Sequence, residues 1–281
     1  MPQAQENVLE NNAIAVPPVA LEPIATLEDI WRAIEADQFQ PHFQPKVSLR
    51  GMDLAGVEAL MRWQHPEQGL LTAGAFLPLI ADNFLFDELS VIMLEKSIAQ
   101  CRAWQDAGVG VTVSVNLSPD LLRDAGLVQR IAEKIASQGL PPQRLVIEVA
   151  EAAVAHEAGD GLENLVRLRA AGFGLAIDDF GTGYIEPDQL ARIPATELKI
   201  DRKMLAGATR RAALRQVLQE AVDTARDLNC KSVAEGVETR DEWDLVNELG
   251  CDMAQGYFIA RPMAGHDLPA WLELWTADPF V

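Results

Sequence analysis

Positive charge is scarce in this 281-residue chain: 23 Lys and Arg stand against 42 Asp and Glu, for a formal net charge of −19. A groove for DNA or RNA needs clustered Lys and Arg to neutralise phosphates, so the deficit argues against one. A small phosphate ligand stays allowed, because bound metal ions reverse the local field. Cysteine is also sparse. Cys101, Cys230 and Cys251 make an odd count and form no CxxC pair. That speaks for small core thiols in a reduced, cytoplasmic compartment and against a disulfide framework or redox motif. No apolar run approaches the ~18 residues that span a bilayer. The N-terminus has no basic stretch followed by an apolar one, so neither membrane insertion nor a signal peptide is expected. His42, His65, His156 and His266 are scattered without i, i+4 spacing, which fits surface or supporting residues better than a zinc site. GxGxxG and P-loop strings are absent, so neither of those nucleotide-binding styles is indicated.

What is present is enough for a large core, with 49% apolar residues. The length suits one large α/β domain, with two as the alternative. Residues 1–25 carry Pro17, Pro18 and Pro23 among small and polar residues without helical or strand period. They are expected to form a flexible leader or linker, which would join a regulatory domain in a longer protein. Thr26 with Asp29 resembles a capping box before a helix over Leu27–Ala36. From there, strand-like runs cover His42–Leu49, Val57–Trp63, Val111–Leu117, Leu145–Val149, Gly174–Asp179, Leu198–Asp201, Ser232–Glu235 and Met253–Phe258. Helix-length segments lie between most of them: Ala75–Ala107, Pro119–Gln138, Gly161–Ala171, Arg210–Leu228 and Arg240–Leu249, with Gly108, Gly139, Gly172 and Gly250 at helix ends. Eight strands with interleaved helices predict a (β/α)8 TIM-like barrel, the alternative being an open doubly wound sheet. The first two runs are separated only by Arg50–Gly56, too short for a crossover helix, so the first strand is predicted to run antiparallel.

The acids fall where this architecture would use them. Glu58 sits in VEALMRW, Asn116 near the end of VTVSVNL, and Glu148 in LVIEV. Asp178 and Asp179 end GLAIDD, Lys199 and Asp201 lie in LKID, and Glu235 ends SVAE. Strand ends of a barrel converge on one face, where active sites sit. A lone acid at a strand end reads as a helix cap or solvated rim residue. Six carboxylates with one amide and one lysine are harder to explain so, because one Lys cannot balance them as a structural ion-pair network. Hard oxygen donors of this kind suit Mg²⁺ or Mn²⁺, and an Asp-Asp pair at a strand end can serve two metals, an arrangement used in phosphodiester cleavage.

These residues stand in strings that resemble the EAL family of cyclic di-GMP phosphodiesterases, over Leu27 to Trp275. The strings are EALMRW, SVNLS, IEVAE, DDFGTGY, LKID, AEGVET and QGYFIARP, in that order. The resemblance implies metal-dependent hydrolysis of cyclic di-GMP to linear 5′-pGpG, with two divalent cations and a homodimer. It implies that Glu58, Asn116, Glu148 and Asp178 hold the first metal, and that Asp178 bridges to the second, near Asp179 with Asp201 or Glu238. Glu235 would act as general base or complete the metal site, and Lys199 would orient the attacking water and steady phosphoryl charge. Gln44, Arg62 and Gln255 look like ligand contacts; the planar donors of Arg62 suit phosphate, its other reading being a rim salt bridge. Glu151 would anchor the loop after Asp179, whose Gly181 and Gly183 suit either a mobile gate or a tight turn.

The family pattern usually continues GYSSL, whereas this chain reads Tyr184-Ile185-Glu186-Pro187. Two hydroxyls that could pin the loop are lost, and Glu186 adds negative charge nearby. Pro187 is compatible with a first helical turn. Thr196 replaces an acid often found before LKID, a structural difference. A loosened loop would lower the affinity for the second metal while cyclic di-GMP binding persists. The competing reading is therefore a cyclic di-GMP receptor that signals through a protein partner, and a third is an interaction domain that binds no nucleotide.

Overall fold

The computed structural model describes residues 25–80, 85–155, 159–183 and 185–280. The expected leader lies outside them apart from Ala25, as do His156 and Tyr184. Nine strands form one sheet: β1 (Phe39–Ser48), β2 (Leu54–His65), β3 (Gly69–Thr72), β4 (Val113–Asn116), β5 (Leu145–Ala150), β6 (Gly174–Phe180), β7 (Glu197–Ile200), β8 (Lys231–Ala234) and β9 (Met253–Gln255). Their order is β1-β9-β8-β7-β6-β5-β4-β2-β3, and an additional β1–β2 pairing closes the sheet into an eight-stranded barrel. From β4 to β9 all neighbours are parallel, and β2 is parallel to β4. β1 is antiparallel to both β2 and β9, as the short Arg50–Gly56 connection predicts.

β3 was not foreseen. It is a four-residue strand that pairs with the far end of β2, Arg62–His65, outside the barrel wall, and it turns only Leu71 towards a core cluster, too little to create a pattern. The run Pro119–Gln138 is not one helix: a 3-10 turn at Leu121–Arg123 precedes the α-helix Leu127–Ser137. The Gly126 N–H donates to Asp124 Oδ1 at 2.7 Å, a side-chain bond that competes with helical pairing. The run Ala75–Ala107 holds two helices, Ala73–Ile80 and Leu85–Asp106. The last strand stops at Gln255 rather than Phe258, because the chain folds back there: Val237 N–H donates to Gln255 O and Phe258 N–H to Val237 O. A Cβ at Gly256 would lie 2.1 Å from Val237 O, so only glycine lets the chain pass.

Helix starts follow local chemistry. Thr26 and Asp29 form the predicted capping box on the helix Leu27–Glu35, and Thr239 with Glu242 does the same for Arg240–Glu248. The helices bury apolar stripes against the barrel's outer wall. Ile131, Leu165 and Leu168 meet strand residues such as Val113, Ile147, Leu175 and Leu198 in one cluster. Leu218, Val222, Trp243 and Val246 meet Val47, Ile200 and Ala254 in a second. This shell fixes the strand ends that carry the acids.

Candidate active site

The candidate metal, catalytic and ligand-contact residues singled out from the sequence lie on barrel strands or a few residues beyond them, and the loop anchor Glu151 directly follows β5. At the centre is Lys199 in β7, fully buried. Its Nζ is 2.8 Å from Glu148 Oε2, 2.9 Å from Asp178 Oδ1, 2.9 Å from Glu235 Oε1 and 3.1 Å from Glu58 Oε2. Four strands thus deliver four carboxylates to one ammonium. Asn116, the last residue of β4, donates from Nδ2 to Glu58 Oε1 at 2.9 Å. Gln255 donates to Glu58 Oε2 at 2.8 Å and to Gln44 Oε1 at 3.1 Å, while Gln44 donates to Ala260 O. Gln44 and Gln255, read as ligand contacts, line the cleft, yet Gln255, itself held by Gln44, also clamps the Glu58 carboxylate.

The electrostatics follow from crowding these acids in a dry place. Burial opposes the charged form of Glu58, but the Lys199 charge and the Gln255 hydrogen bond hold it down, at about 2. Burial and then the Glu58 charge push Glu148 up, to about 8. Burial raises Glu235 well above the ordinary range. Burial, then Asp178, raises Asp179 to about 6. Lys199 pays a desolvation penalty, yet Glu148, Glu235, Glu58 and Asp178 hold it firmly protonated. Such divergence is expected when like charges share a low-dielectric site.

Two groups of acids are compact enough for a cation. Glu58, Glu148 and Asp178 offer oxygens within 4.8 Å of one another, and so do Asp178, Asp179 and Glu235. Asp178 belongs to both. Glu148 Oε1 and Gln255 Oε1 are buried without hydrogen-bond partners, an arrangement that is costly unless something else satisfies them. The donor set is oxygen-only and acid-rich, so the residues present fit a hard divalent cation. Asp201 and Glu238 belong to neither group but line the same cleft as these acids, and the Asp201 side chain lies against that of Asp179. Asp201 Oδ1 accepts the Lys203 N–H at 2.6 Å as a helix cap, and Glu238 pairs with Arg202 at 2.5 Å.

A cleft of about 360 Å³ opens over these acids. Glu58, Asp178, Asp179 and Glu235 form its acidic wall, and Gln44, Gln255, Arg202 and Tyr257 are also among its lining residues. Arg62 is half-buried on β2 and donates to Met61 O at 2.8 Å; burial lowers its pKa from the ordinary value. Sequence reasoning passed over Tyr257 and Arg202, and also Lys46, whose buried ammonium lies 3.7 Å from Glu148 Oε1. Its only sequence signal is a lysine two positions after Gln44 on a strand, which places both on one face.

The loop after Asp179 is held where the sequence placed its anchor. Glu151 Oε2 accepts from Gly181 N–H at 2.9 Å, Thr182 N–H at 3.0 Å and Thr182 Oγ1 at 3.0 Å; Oε1 accepts from Ile185 N–H at 3.0 Å. At the changed position 185, Glu151 takes the backbone N–H of Ile185, whose side chain packs on the core. Glu186 is exposed and does not line the cleft. The short helix Pro187–Leu190 forms. Asp179 sits at φ 56°, a left-handed conformation that costs a non-glycine residue and marks functional loops. Gly181, at φ 104°, is required as well: a Cβ would fall 1.9 Å from Met204 Sδ. Thr196 replaces its expected acid with a local bond pair to the Leu175 backbone.

The EAL domain family matches residues 27–262. The bifunctional diguanylate cyclase/cyclic di-GMP phosphodiesterase MucR of Pseudomonas aeruginosa is 38% identical over 252 residues, which are 89% of this chain and 37% of MucR. The cyclic di-GMP phosphodiesterase RocR of the same species is 34% identical over 245 residues, 87% of this chain and 62% of RocR. The chain thus spans between a third and two thirds of the length of these relatives. A solved structure of the PaMucR phosphodiesterase in complex with c-di-GMP superposes with a TM-score of 0.82 at 39% identity, covering 86% of this chain and 98% of that one. EAL domains use divalent cations, and the acidic groups described above are of the kind that binds one. Among the described residues no helix is long and apolar enough to cross a membrane. With its closed barrel and its EAL, LKID and DDFGTG strings gathered at one cleft, the chain belongs to the EAL domain family.

Proposed function

We propose that this chain hydrolyses cyclic di-GMP to linear 5′-pGpG, with two divalent cations, Mg²⁺ or Mn²⁺, as cofactors. The observation that carries the reading is the set of five carboxylates at the floor of the cleft, four of them on Lys199 and the fifth, Asp179, grouped with Asp178 and Glu235. The names of MucR and RocR support the choice of substrate.

In this reading Glu58, Asn116, Glu148 and Asp178 would hold the first cation, and Asp178 with Asp179, together with Asp201 or Glu238, would hold the second. Bound cations supply Lewis acidity, lowering the pKa of water and neutralising phosphoryl charge. Glu235 takes the proton of the attacking water. The water oxygen bonds to phosphorus in line, the P–O3′ bond breaks, and the proton ends on the leaving 3′ oxygen. Lys199 orients the water and steadies the charge that grows on the phosphoryl oxygens. Gln44, Arg62 and Gln255 contact the dinucleotide, and Glu151 keeps the loop closed beneath Asp179.

A homodimer, a regulatory domain upstream of residue 26 and a cytoplasmic setting belong to the same proposal. The last is supported by three free, buried thiols. The test is to follow pGpG by chromatography with Mg²⁺, Mn²⁺ and EDTA while measuring binding in parallel. Ion-dependent product supports the enzyme. Tight binding without product would instead make the chain a receptor that signals through a protein partner.

A further inference from the structure

The interior of a (β/α)8 barrel is ordinarily filled with branched apolar side chains. Beneath the acids of this site it is not. Lys46 on β1 is 2% exposed, and its Nζ lies 2.6 Å from Ser114 Oγ on β4 and 2.6 Å from Glu197 Oε2 on β7. These three residues span the barrel below Lys199. Gly56 is in register with Lys46 on the neighbouring strand, and a Cβ there would sit 3.0 Å from Thr112 O and in van der Waals contact with the lysine stem.

A buried ion pair is poor value as a source of stability, since desolvation offsets the attraction and apolar replacements are often as stable. The geometry suggests another use. An ammonium has three N–H donors, and Ser114 and Glu197 take two. At 3.7 Å lies Glu148 Oε1, buried and without a hydrogen-bond partner. The other oxygen of the same carboxylate, Oε2, accepts from Lys199 at 2.8 Å. Glu148 therefore stands between two ammonium groups, one for each oxygen, and cannot rotate without losing one of them. Because Glu197 matches the charge of Lys46, this support adds no net positive charge beneath a site that must attract cations.

We propose that Lys46, held by Ser114 and Glu197, is a positioning residue that fixes the plane of the Glu148 carboxylate for cation binding. The proposal rests on the reading of Glu148 as a metal ligand. Partners that orient metal-binding carboxylates typically govern affinity by about 10–100-fold.

The test is Mn²⁺ binding by calorimetry to the Lys46→Met/Glu197→Gln double variant, which removes the pair without changing net charge. The expected result is an Mn²⁺ dissociation constant roughly tenfold or more above wild type. The metal-free variant should melt as the wild type does and bind cyclic di-GMP equally well in chelator, two readouts that general damage to the barrel would move. Mn²⁺ affinity within twofold of wild type in the folded double variant would overturn the proposal. If the double variant does not fold, Ser114→Ala, which only loosens Lys46, should weaken Mn²⁺ several-fold, and unchanged affinity there overturns it equally. A wild-type chain that binds no Mn²⁺ would instead overturn the assignment of Glu148 as ligand, and this inference with it.

Discussion

Replacing Glu151 with alanine removes a buried carboxylate that accepts four hydrogen bonds from a single loop, those of Gly181 N–H, Thr182 N–H, Thr182 Oγ1 and Ile185 N–H. After competition with water, each such bond contributes about 0.5–1.5 kcal/mol. Four together hold the loop closed by roughly 2–6 kcal/mol, and the lower end already corresponds to about a thirtyfold change in the closed-to-open ratio. The loop begins at Asp179, whose φ of 56° is a strained conformation that persists only while its surroundings enforce it. Once released, Asp179 leaves the acid group it shares with Asp178 and Glu235. Glu151→Ala should therefore lower kcat for cyclic di-GMP by thirtyfold or more. It should also speed amide exchange at residues 181–185 and change ligand affinity much less than rate. Hydrogen exchange followed by mass spectrometry, alongside steady-state kinetics, reads both effects. A variant with kcat within twofold of wild type and unchanged exchange in the loop would refute the reasoning.

Three further expectations rest on other residues. Glu235→Gln keeps the shape of the proposed base but cannot take a proton, so kcat should fall about 10²–10⁴-fold with cyclic di-GMP binding retained; near wild-type turnover would remove Glu235 from that role. Lys199→Met leaves four carboxylates without their shared cation. Breaking buried ion pairs costs about 3–5 kcal/mol, so the protein should melt lower in EDTA, partly recover in Mn²⁺ and lose kcat more than affinity; wild-type melting in EDTA would contradict this. Asp252 is partly buried, which alone would raise its pKa, but Lys231 and the Ser232 N–H and hydroxyl hold it below the ordinary value. A depressed folded-state pKa gives stability that is present above the unfolded value of about 3.9 and is lost as pH falls through the folded one. Asp252→Asn should therefore cost about 1 kcal/mol near neutrality, a gap that closes in acid; a constant difference in denaturant midpoint between pH 7 and pH 3 would count against it.

Much of this architecture is legible in the residues because strand and helix periods alternate along the chain and the acids recur at strand ends. Lys199, Glu58, Glu148, Asp178 and Glu235 meet because barrel closure forces parallel strand ends together, and that consequence of topology can be drawn without coordinates. What could not be drawn is the pairing of polar atoms. Gln44 and Gln255 read as free ligand contacts, yet Gln255 also donates to Glu58 and is itself held by Gln44. Asp201 reads as an acid beside the metals, yet one of its oxygens caps a helix. Lys46 gave only the signal of its spacing from Gln44, since its partners Ser114 and Glu197 lie 68 and 151 positions away. The loss of two serines at 185 and 186 removes two hydroxyls, while the Ile185 N–H donates to Glu151 whatever side chain stands there, a bond the sequence could not show. β3 escaped notice because four residues with one inward apolar side chain, Leu71, leave no readable alternation.

The central claim is that the acids around Lys199 support attack of water on a phosphodiester of cyclic di-GMP. Its most direct test is turnover in ¹⁸O-labelled water with Mn²⁺ and, in parallel, with EDTA, read by mass spectrometry. The account predicts linear pGpG bearing one ¹⁸O, on its 5′-phosphate, with Mn²⁺ and none with EDTA. Recovery of intact, tightly bound cyclic di-GMP under both conditions would contradict it.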